Sequence, residues 1–172
     1  GATATYRWQV CETADGSYSD IPGAASNAYV PTASQLAMYV RVVATGFGSY
    51  SGTIESAAIG PILAAPLTAI GSIAGTIQVG QVVTAGDLVP EGASATYQWQ
   101  RCEAVYGDYL DIAGATTATY EIDIADVGMY LKVVATGTEG YSGSVSSESA
   151  GPVPAVPLAS IGDISGTVKV GH

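Results

Sequence analysis

The sequence has few of the side chains on which enzymes and nucleic-acid-binding proteins depend. It contains one histidine, His172, two cysteines and only five lysines and arginines among 172 residues. A single histidine leaves no partner for a nucleophilic triad, so we predict no enzyme activity and no catalytic, cofactor-binding or metal-binding residue. Fifteen acidic residues give a net charge of −10. Five scattered cations against that charge do not neutralise a run of phosphates, so we expect no nucleic-acid partner.

Charge is absent altogether between Ser56 and Gly86. This stretch is long enough to raise the question of a membrane span. Pro61, Pro66 and several glycines interrupt it, however, and a lipid-exposed helix with such breakers would leave backbone groups without hydrogen-bond partners. We therefore predict no membrane insertion.

The residues that are abundant indicate a folded β protein. Twenty-two glycines and 8 prolines accompany an apolar fraction of 48% and a charged fraction of only 12%. This composition is far from that of disordered chains. Frequent turn formers among threonine, valine, tyrosine and serine favour many short strands, so we predict an all-β fold.

The chain contains a tandem repeat with an offset of 91 residues. The segment TYRWQVCE at Thr5–Glu12 returns as TYQWQRCE at Thr96–Glu103, and about half of all positions paired at this offset are identical. A unit of this size fits one small β-sandwich. We therefore divide the chain into an incomplete repeat at 1–61, a complete repeat at 62–154, and a linker with the first strand of a further repeat at 155–172.

Seven short strands are predicted in the complete repeat, which is the number expected of an immunoglobulin-like sandwich. The predicted strands cover 69–77, 79–85, 95–102, 109–112, 118–124, 129–136 and 142–149. Alternation directs Tyr97 and Trp99 to one face of their strand. The same pattern places Met129, Leu131, Val133 and Ala135 inward, and it groups Ile122 and Ile124 with Tyr120.

Four ordered motifs in this repeat resemble those of bacterial and archaeal immunoglobulin-like surface repeats. They are VGQVVTA at Val79–Ala85, YQWQRC at Tyr97–Cys102, DIAGAT at Asp111–Thr116 and ADVGMYL at Ala125–Leu131. The resemblance implies tandem immunoglobulin-like β-sandwich domains, an extracellular or cell-surface location, and a structural, adhesive or assembly role without catalysis. The first repeat departs from the last motif, with Gln35 and Ala37 at the places of Asp126 and Gly128, and we expect a different turn geometry there.

The cysteines and carboxylates leave alternatives open. Cys11 and Cys102 are expected as free, partly buried thiols, with an intermolecular disulfide in an assembly as the alternative. Four acidic residues near turns suggest either solvated carboxylates, which we favour, or a calcium site; they are Asp108, Asp111, Asp123 and Asp126. Ten of the 11 tyrosines recur at the 91-residue offset, which favours scaffold roles and leaves Tyr106 as the one candidate for binding carbohydrate.

The first repeat is expected to lack the strands that match 69–85, whereas the tail repeats the first of them. The chain is then either a window of a longer array or a subunit whose tail completes a neighbour by β-augmentation. The candidate residues of a donated strand are Leu158, Ile161, Ile164, Val168 and Val170. We accordingly expect an extracellular structural protein that assembles with copies of itself, head to tail, into a filament, sheath or tube. The alternative is an immunoglobulin-like adhesin or a carbohydrate-binding spacer of a larger surface or secreted protein.

Overall fold

The computed structural model describes residues 3–160 and consists almost entirely of β-strands, which confirms the predicted all-β class. The strands of the first half are β1 (Ala4–Cys11), β2 (Ser19–Asp20), β3 (Tyr39–Gly46) and β4 (Thr53–Glu55). Those that follow are β5 (Ala65–Pro66), β6 (Ala69–Ile70), β7 (Val82–Thr84), β8 (Leu88–Val89), β9 (Ser94–Cys102), β10 (Leu110–Asp111), β11 (Thr119–Glu121), β12 (Tyr130–Thr138), β13 (Tyr141–Ser142) and β14 (Ser144–Ser146). Two short 3-10 helices cover Ala33–Gln35 and Ile124–Asp126.

Two four-stranded antiparallel sheets repeat the same strand order. The first runs β2-β1-β3-β4 and the second β10-β9-β12-β14. The register repeats as well, since Trp8 pairs with Val42 in the first sheet and Trp99 with Val133 in the second. All four residues obey the 91-residue offset, so the sequence repeat is also a repeat of backbone geometry. We call the two sheets the first and second main sheets.

The core of the second half lies on one face of the second main sheet. Trp99, Leu131 and Val133 are completely buried there. They form a cluster with Val83, Ile122 and Val153. Alternation along β9 and β12 directs these residues to the same face, as predicted from the sequence.

Smaller sheets lie beside this core. β7 pairs with β11 and β6 with β8, both antiparallel, and β5 pairs with β13 in parallel. Val83 of β7 is fully buried against the core cluster, so the β7–β11 pair covers the inner face of the second main sheet. Two layers around one apolar core are the arrangement of a β-sandwich.

Two sequence predictions were wrong in detail. The strand predicted over 69–77 is reduced to β6 and an isolated bridge between Ala74 and Thr84. Gly75 interrupts the ladder, because its φ of +118° lies outside the conformation of a strand. The strand predicted over 118–124 ends at Glu121, and Ile124, which was grouped with Tyr120 and Ile122 in that strand, is 63% exposed at the start of the second 3-10 helix.

The turn after each 3-10 helix keeps one geometry in both halves, contrary to the sequence prediction. Gly128 has φ +82°, and its counterpart Ala37 has φ +64°. Alanine thus adopts the left-handed conformation that glycine normally supplies.

In the part of the chain that the structure describes, no helix is long and apolar enough to cross a membrane.

Candidate functional site

The inner faces of the two main sheets have the same local geometry. The indole N–H of Trp8 donates to the carbonyl oxygen of Ser26 at 2.9 Å, and that of Trp99 donates to the carbonyl oxygen of Thr117 at 3.0 Å. Each indole also lies against a tyrosine ring, with centroids 5.6 Å apart for Tyr29 and 5.5 Å apart for Tyr120. Both faces are therefore built to receive the same covering layer.

The two faces differ in what covers them. Trp99 is completely buried, whereas Trp8 is only partly buried. In the second half, β7 and β11 form part of the cover. The segment that precedes β7 forms the rest. Its residues that pack against the core are Ile70, Ile73, Ile77 and Val79. In the first half, the counterpart of β11 is 28–30, which forms no strand. We call the inner face around Trp8 the open face.

The tail carries a second copy of the segment that covers Trp99. At the 91-residue offset, Leu158, Ile161, Ile164, Val168 and Val170 match Leu67, Ile70, Ile73, Ile77 and Val79. Leu67 is buried, whereas Leu158 is 98% exposed. The other four candidate residues of the donated strand, Ile161, Ile164, Val168 and Val170, lie outside the described residues.

A short linker joins the two halves through backbone hydrogen bonds. On the side of the first half, the Ile62 N–H donates to the Met38 carbonyl oxygen at 2.8 Å. On the side of the second half, the Ala65 N–H donates to the Gly140 carbonyl oxygen and the Leu67 N–H to that of Ser142, each at 2.8 Å. The linker is thus fixed to both halves by the same type of contact that holds strands together.

A buried carboxylate near the second 3-10 helix was missed by the sequence prediction of solvated turn carboxylates. Asp126 is 0% exposed and accepts hydrogen bonds from Arg101 Nη1 at 2.8 Å and Tyr120 Oη at 2.6 Å. The Asp123 N–H is a third donor, at 2.9 Å. Burial, and next the hydrogen bond to Asp126, raises the pKa of Tyr120 above its usual value. The hydrogen bond to Asp126 also raises the pKa of Arg101.

The first half builds this corner without charge. Gln35 stands at the place of Asp126, and its Oε1 accepts from Tyr29 Oη at 3.1 Å and from the Thr32 N–H at 2.7 Å. Val10 stands at the place of Arg101. The carboxylate and its cation are therefore absent together, and the corner serves the fold. A comparison of positions 10 and 101 with positions 35 and 126 was the sequence signal that could have revealed the pair.

The other acidic candidates have separate local roles. The Asp111 carboxylate accepts from Gln100 Nε2 at 2.8 Å, and the Asp123 carboxylate accepts from the Ala125 N–H at 2.8 Å as the cap of its helix. Asp108 is exposed and lies at a shallow surface depression together with Asp111. Within residues 3–160, no group of three or more metal-ligating side chains comes together.

Both cysteines are free thiols in the described chain and are partly buried. Each sulfur lies against a glycine of the loop that follows its strand. Cys11 Sγ lies in the space that a Cβ of residue 16 would need, and Cys102 Sγ lies in the space that a Cβ of residue 107 would need. The two sites therefore have equivalent packing. Cys11 and Cys102 do not pair with each other, and the intermolecular disulfide stays a prediction.

Most tyrosines occupy repeated places in the scaffold. Tyr29 and Tyr120 stack on the tryptophans. Arg41 lies over the ring of Tyr18 at 4.3 Å, and Lys132 lies over that of Tyr109 at 4.5 Å. Tyr106, the predicted candidate for carbohydrate, is 99% exposed.

No protein-family model matches the chain, and a search of curated proteins finds no match.

Proposed function

We propose that the chain is an extracellular structural protein without catalytic activity, made of tandem immunoglobulin-like β-sandwich units. The units are residues 1–61 and 62–154, and 155–172 begins a further one. Copies assemble head to tail into a cell-surface filament, sheath or tube, without nucleic acid, cofactor or membrane insertion. The resemblance to immunoglobulin-like surface repeats supports this reading, as does the shared geometry of the two main sheets.

One observation carries the proposal: the open face and the tail are complementary. Trp8 is held by the same hydrogen bond and ring contact as Trp99, but within residues 3–160 it is only partly buried, whereas Trp99 is completely buried. The tail matches the covering segment at each of its core-facing positions. Burial of apolar side chains stabilises an association by about 25 cal/mol per Å² of surface removed from water. Docking of a tail on the open face of the next copy would gain this stabilisation.

The segment 158–172 matches 67–81, which is the part of the cover that precedes β7 in the complete unit. Because the donating and receiving surfaces differ, the contact is heterologous, and repetition gives an open polymer rather than a closed dimer.

The experiment compares three forms of the full chain by sedimentation velocity and negative-stain electron microscopy. We expect ordered polymers from the unaltered chain and monomers from the Ile161→Asp/Ile164→Asp variant. The matched control, Asp163→Asn/Lys169→Gln, changes positions whose counterparts Ser72 and Gln78 are exposed, and it should assemble normally. Circular dichroism checks that all three forms fold alike.

Two outcomes would overturn the proposal. Dispersed rods from the unaltered chain would favour the alternative, an immunoglobulin-like adhesin or spacer module. Polymers that persist in the Ile161→Asp/Ile164→Asp variant would exclude the tail as the assembling segment.

A further inference from the structure

We infer that the contact between the two halves of one chain recurs between copies. In this contact the loop 47–50 of one copy lies against the second 3-10 helix, Ile124–Asp126, of the preceding copy. The inference rests on the proposed head-to-tail assembly and specifies its second surface, which is separate from the open face. The partner is a second copy of this chain.

The internal junction supplies the geometry. The loop 139–141 of the second half lies against the first 3-10 helix, since a Cβ at Gly140 would be 3.4 Å from the Cβ of Ala33. Beside this contact is a groove of about 500 Å³ to which both halves contribute, with Leu36 and Leu63 on one side and Tyr141 on the other. The halves therefore touch through a loop and a helix in addition to the linker.

The end of the second half has the same backbone hydrogen bonds as the end of the first half, where the linker begins. Where the linker leaves the first half, the Ile62 N–H donates to the Met38 carbonyl oxygen at 2.8 Å. The Ala37 N–H donates to the Ile62 carbonyl oxygen at 2.9 Å. At the 91-residue offset, the Val153 N–H donates to Met129 and the Gly128 N–H to Val153, each at 2.9 Å. The chain thus leaves both halves through the same pair of backbone hydrogen bonds beside the preceding 3-10 helix.

Both surfaces of the inter-copy junction are exposed and apolar. On the helix side, Ile124 is 63% exposed at the position of Ala33, and Val156 is 51% exposed at the position of Ala65. On the loop side, Phe47 is 52% exposed and Tyr50 is 50% exposed at the positions of Thr138 and Tyr141.

At two positions the inter-copy surfaces carry larger apolar side chains than the internal junction does. Ile124 replaces Ala33 and Phe47 replaces Thr138. Ala33 lines the internal groove of about 500 Å³, so the equivalent groove has space for the larger Ile124 side chain. Continuity with the internal contact, together with apolar exposure on both sides, is why a second copy is the occupant that fits.

Cysteine trapping tests the inference directly. In a Cys11→Ser/Cys102→Ser background, Ser49→Cys and Ile124→Cys place thiols at the counterparts of Gly140 and Ala33. The 3.4 Å separation of the internal positions is close to the Cβ separation of a disulfide, about 3.5–4.5 Å. Under mild oxidation we expect a ladder of dimers, trimers and higher species on a non-reducing gel, and its collapse with reductant.

A matched control separates specific trapping from random oxidation. The Ser17→Cys/Ile124→Cys variant has the same number of thiols, but Ser17 lies in the exposed loop at the opposite end of the first main sheet. This control should remain monomeric on the gel. The Ala33→Cys/Gly140→Cys variant places its two thiols within one chain, at a cost in backbone strain because Gly140 has φ +101°. Its internal disulfide should block thiol labelling without joining copies on the gel.

Each outcome decides the question. Polymers seen by sedimentation without a ladder would overturn this inference and leave the proposed function intact. A chain that stays monomeric by sedimentation would overturn both. An equally strong ladder from the Ser17→Cys control would mean that the cross-links report collision, and the inferred contact would be wrong.

Discussion

Arg101 and Asp126, 25 residues apart in the sequence, form an ion pair of 2.8 Å in which the carboxylate is completely buried. The counterparts in the first half are Val10 and Gln35, so the two charges occur together or not at all. A buried carboxylate is tolerated only when it is paired and hydrogen-bonded, and Asp126 has three donors. The corner is therefore one unit, and its parts are not independently replaceable.

Removing the Asp126 carboxylate alone should lower the stability of the second half. We expect Asp126→Ala to lower the free energy of unfolding of the second half by about 2 kcal/mol, because the Tyr120 hydroxyl and the Asp123 N–H lose their acceptor. The Arg101→Val/Asp126→Gln variant, which copies the pair found in the first half, should lose less. Urea unfolding followed by circular dichroism measures both. Equal losses would show that the charge pair is not coupled.

The left-handed residue after each 3-10 helix provides a reciprocal pair of substitutions. Left-handed backbone costs a non-glycine residue roughly 1 kcal/mol. Ala37→Gly should therefore stabilise the first half by about that amount, and Gly128→Ala should destabilise the second half similarly. No atom lies within 4 Å of a Cβ added at Gly128, so its effect is confined to the backbone. Thermal unfolding of both variants checks the signs, and a stabilising Gly128→Ala would contradict the assignment.

The two tryptophans should report the difference between the covered and the open face. In the monomer, Trp99→Ala should cost about 3–5 kcal/mol, as for a fully buried aromatic residue, and Trp8→Ala should cost less. Acrylamide should quench Trp8 in a Trp99→Phe variant more strongly than Trp99 in a Trp8→Phe variant. Equal quenching in monomers would show that the open face is covered from within the chain.

Tyr120 should make the stability of the second half sensitive to alkaline pH. Burial and the hydrogen bond to Asp126 raise its pKa above the ordinary value of 10.0. In the unfolded chain Tyr120 loses its proton near pH 10, whereas in the folded chain it retains the proton. This contribution to stability is therefore complete below pH 10 and falls as the pH rises further.

The Tyr120→Phe variant isolates that contribution. Below pH 10 the variant should be less stable by about 1 kcal/mol, because Asp126 loses a donor. Above pH 10 the gap between the two proteins should narrow, since only the unaltered chain loses the Tyr120 contribution. Urea unfolding at a series of pH values measures the gap. A gap that stays constant to pH 11 would contradict the raised pKa.

Features repeated within short segments were predictable from the sequence. β9 was predicted almost to its ends, and Trp99, Leu131 and Val133 were placed in the core, because strand alternation depends only on neighbouring residues. Ile124 was misplaced because the capping of its helix by Asp123 outweighs the apolar alternation that precedes it.

Contacts between distant segments were not predictable in the same way. Asp126 has the sequence context of a solvated turn, and only folding brings Arg101 within 2.8 Å of it. Ala37 was assigned a different turn from Gly128, since residue type alone does not reveal that tertiary hydrogen bonds fix both turns. The proposed docking of the tail on the open face combines both kinds of information: the offset comes from the sequence and the partial exposure of Trp8 from the structure.

The parallel pairing of β5 with β13 has a consequence for a chain under tension. A force drawing the first half away from the second pulls along β5, which β13 holds to the second half. Pulling along β5 slides it past β13, so the two hydrogen bonds from Ala65 and Leu67 are loaded in shear at the same time. The point where the halves join is therefore also the point at which the second half resists being pulled open.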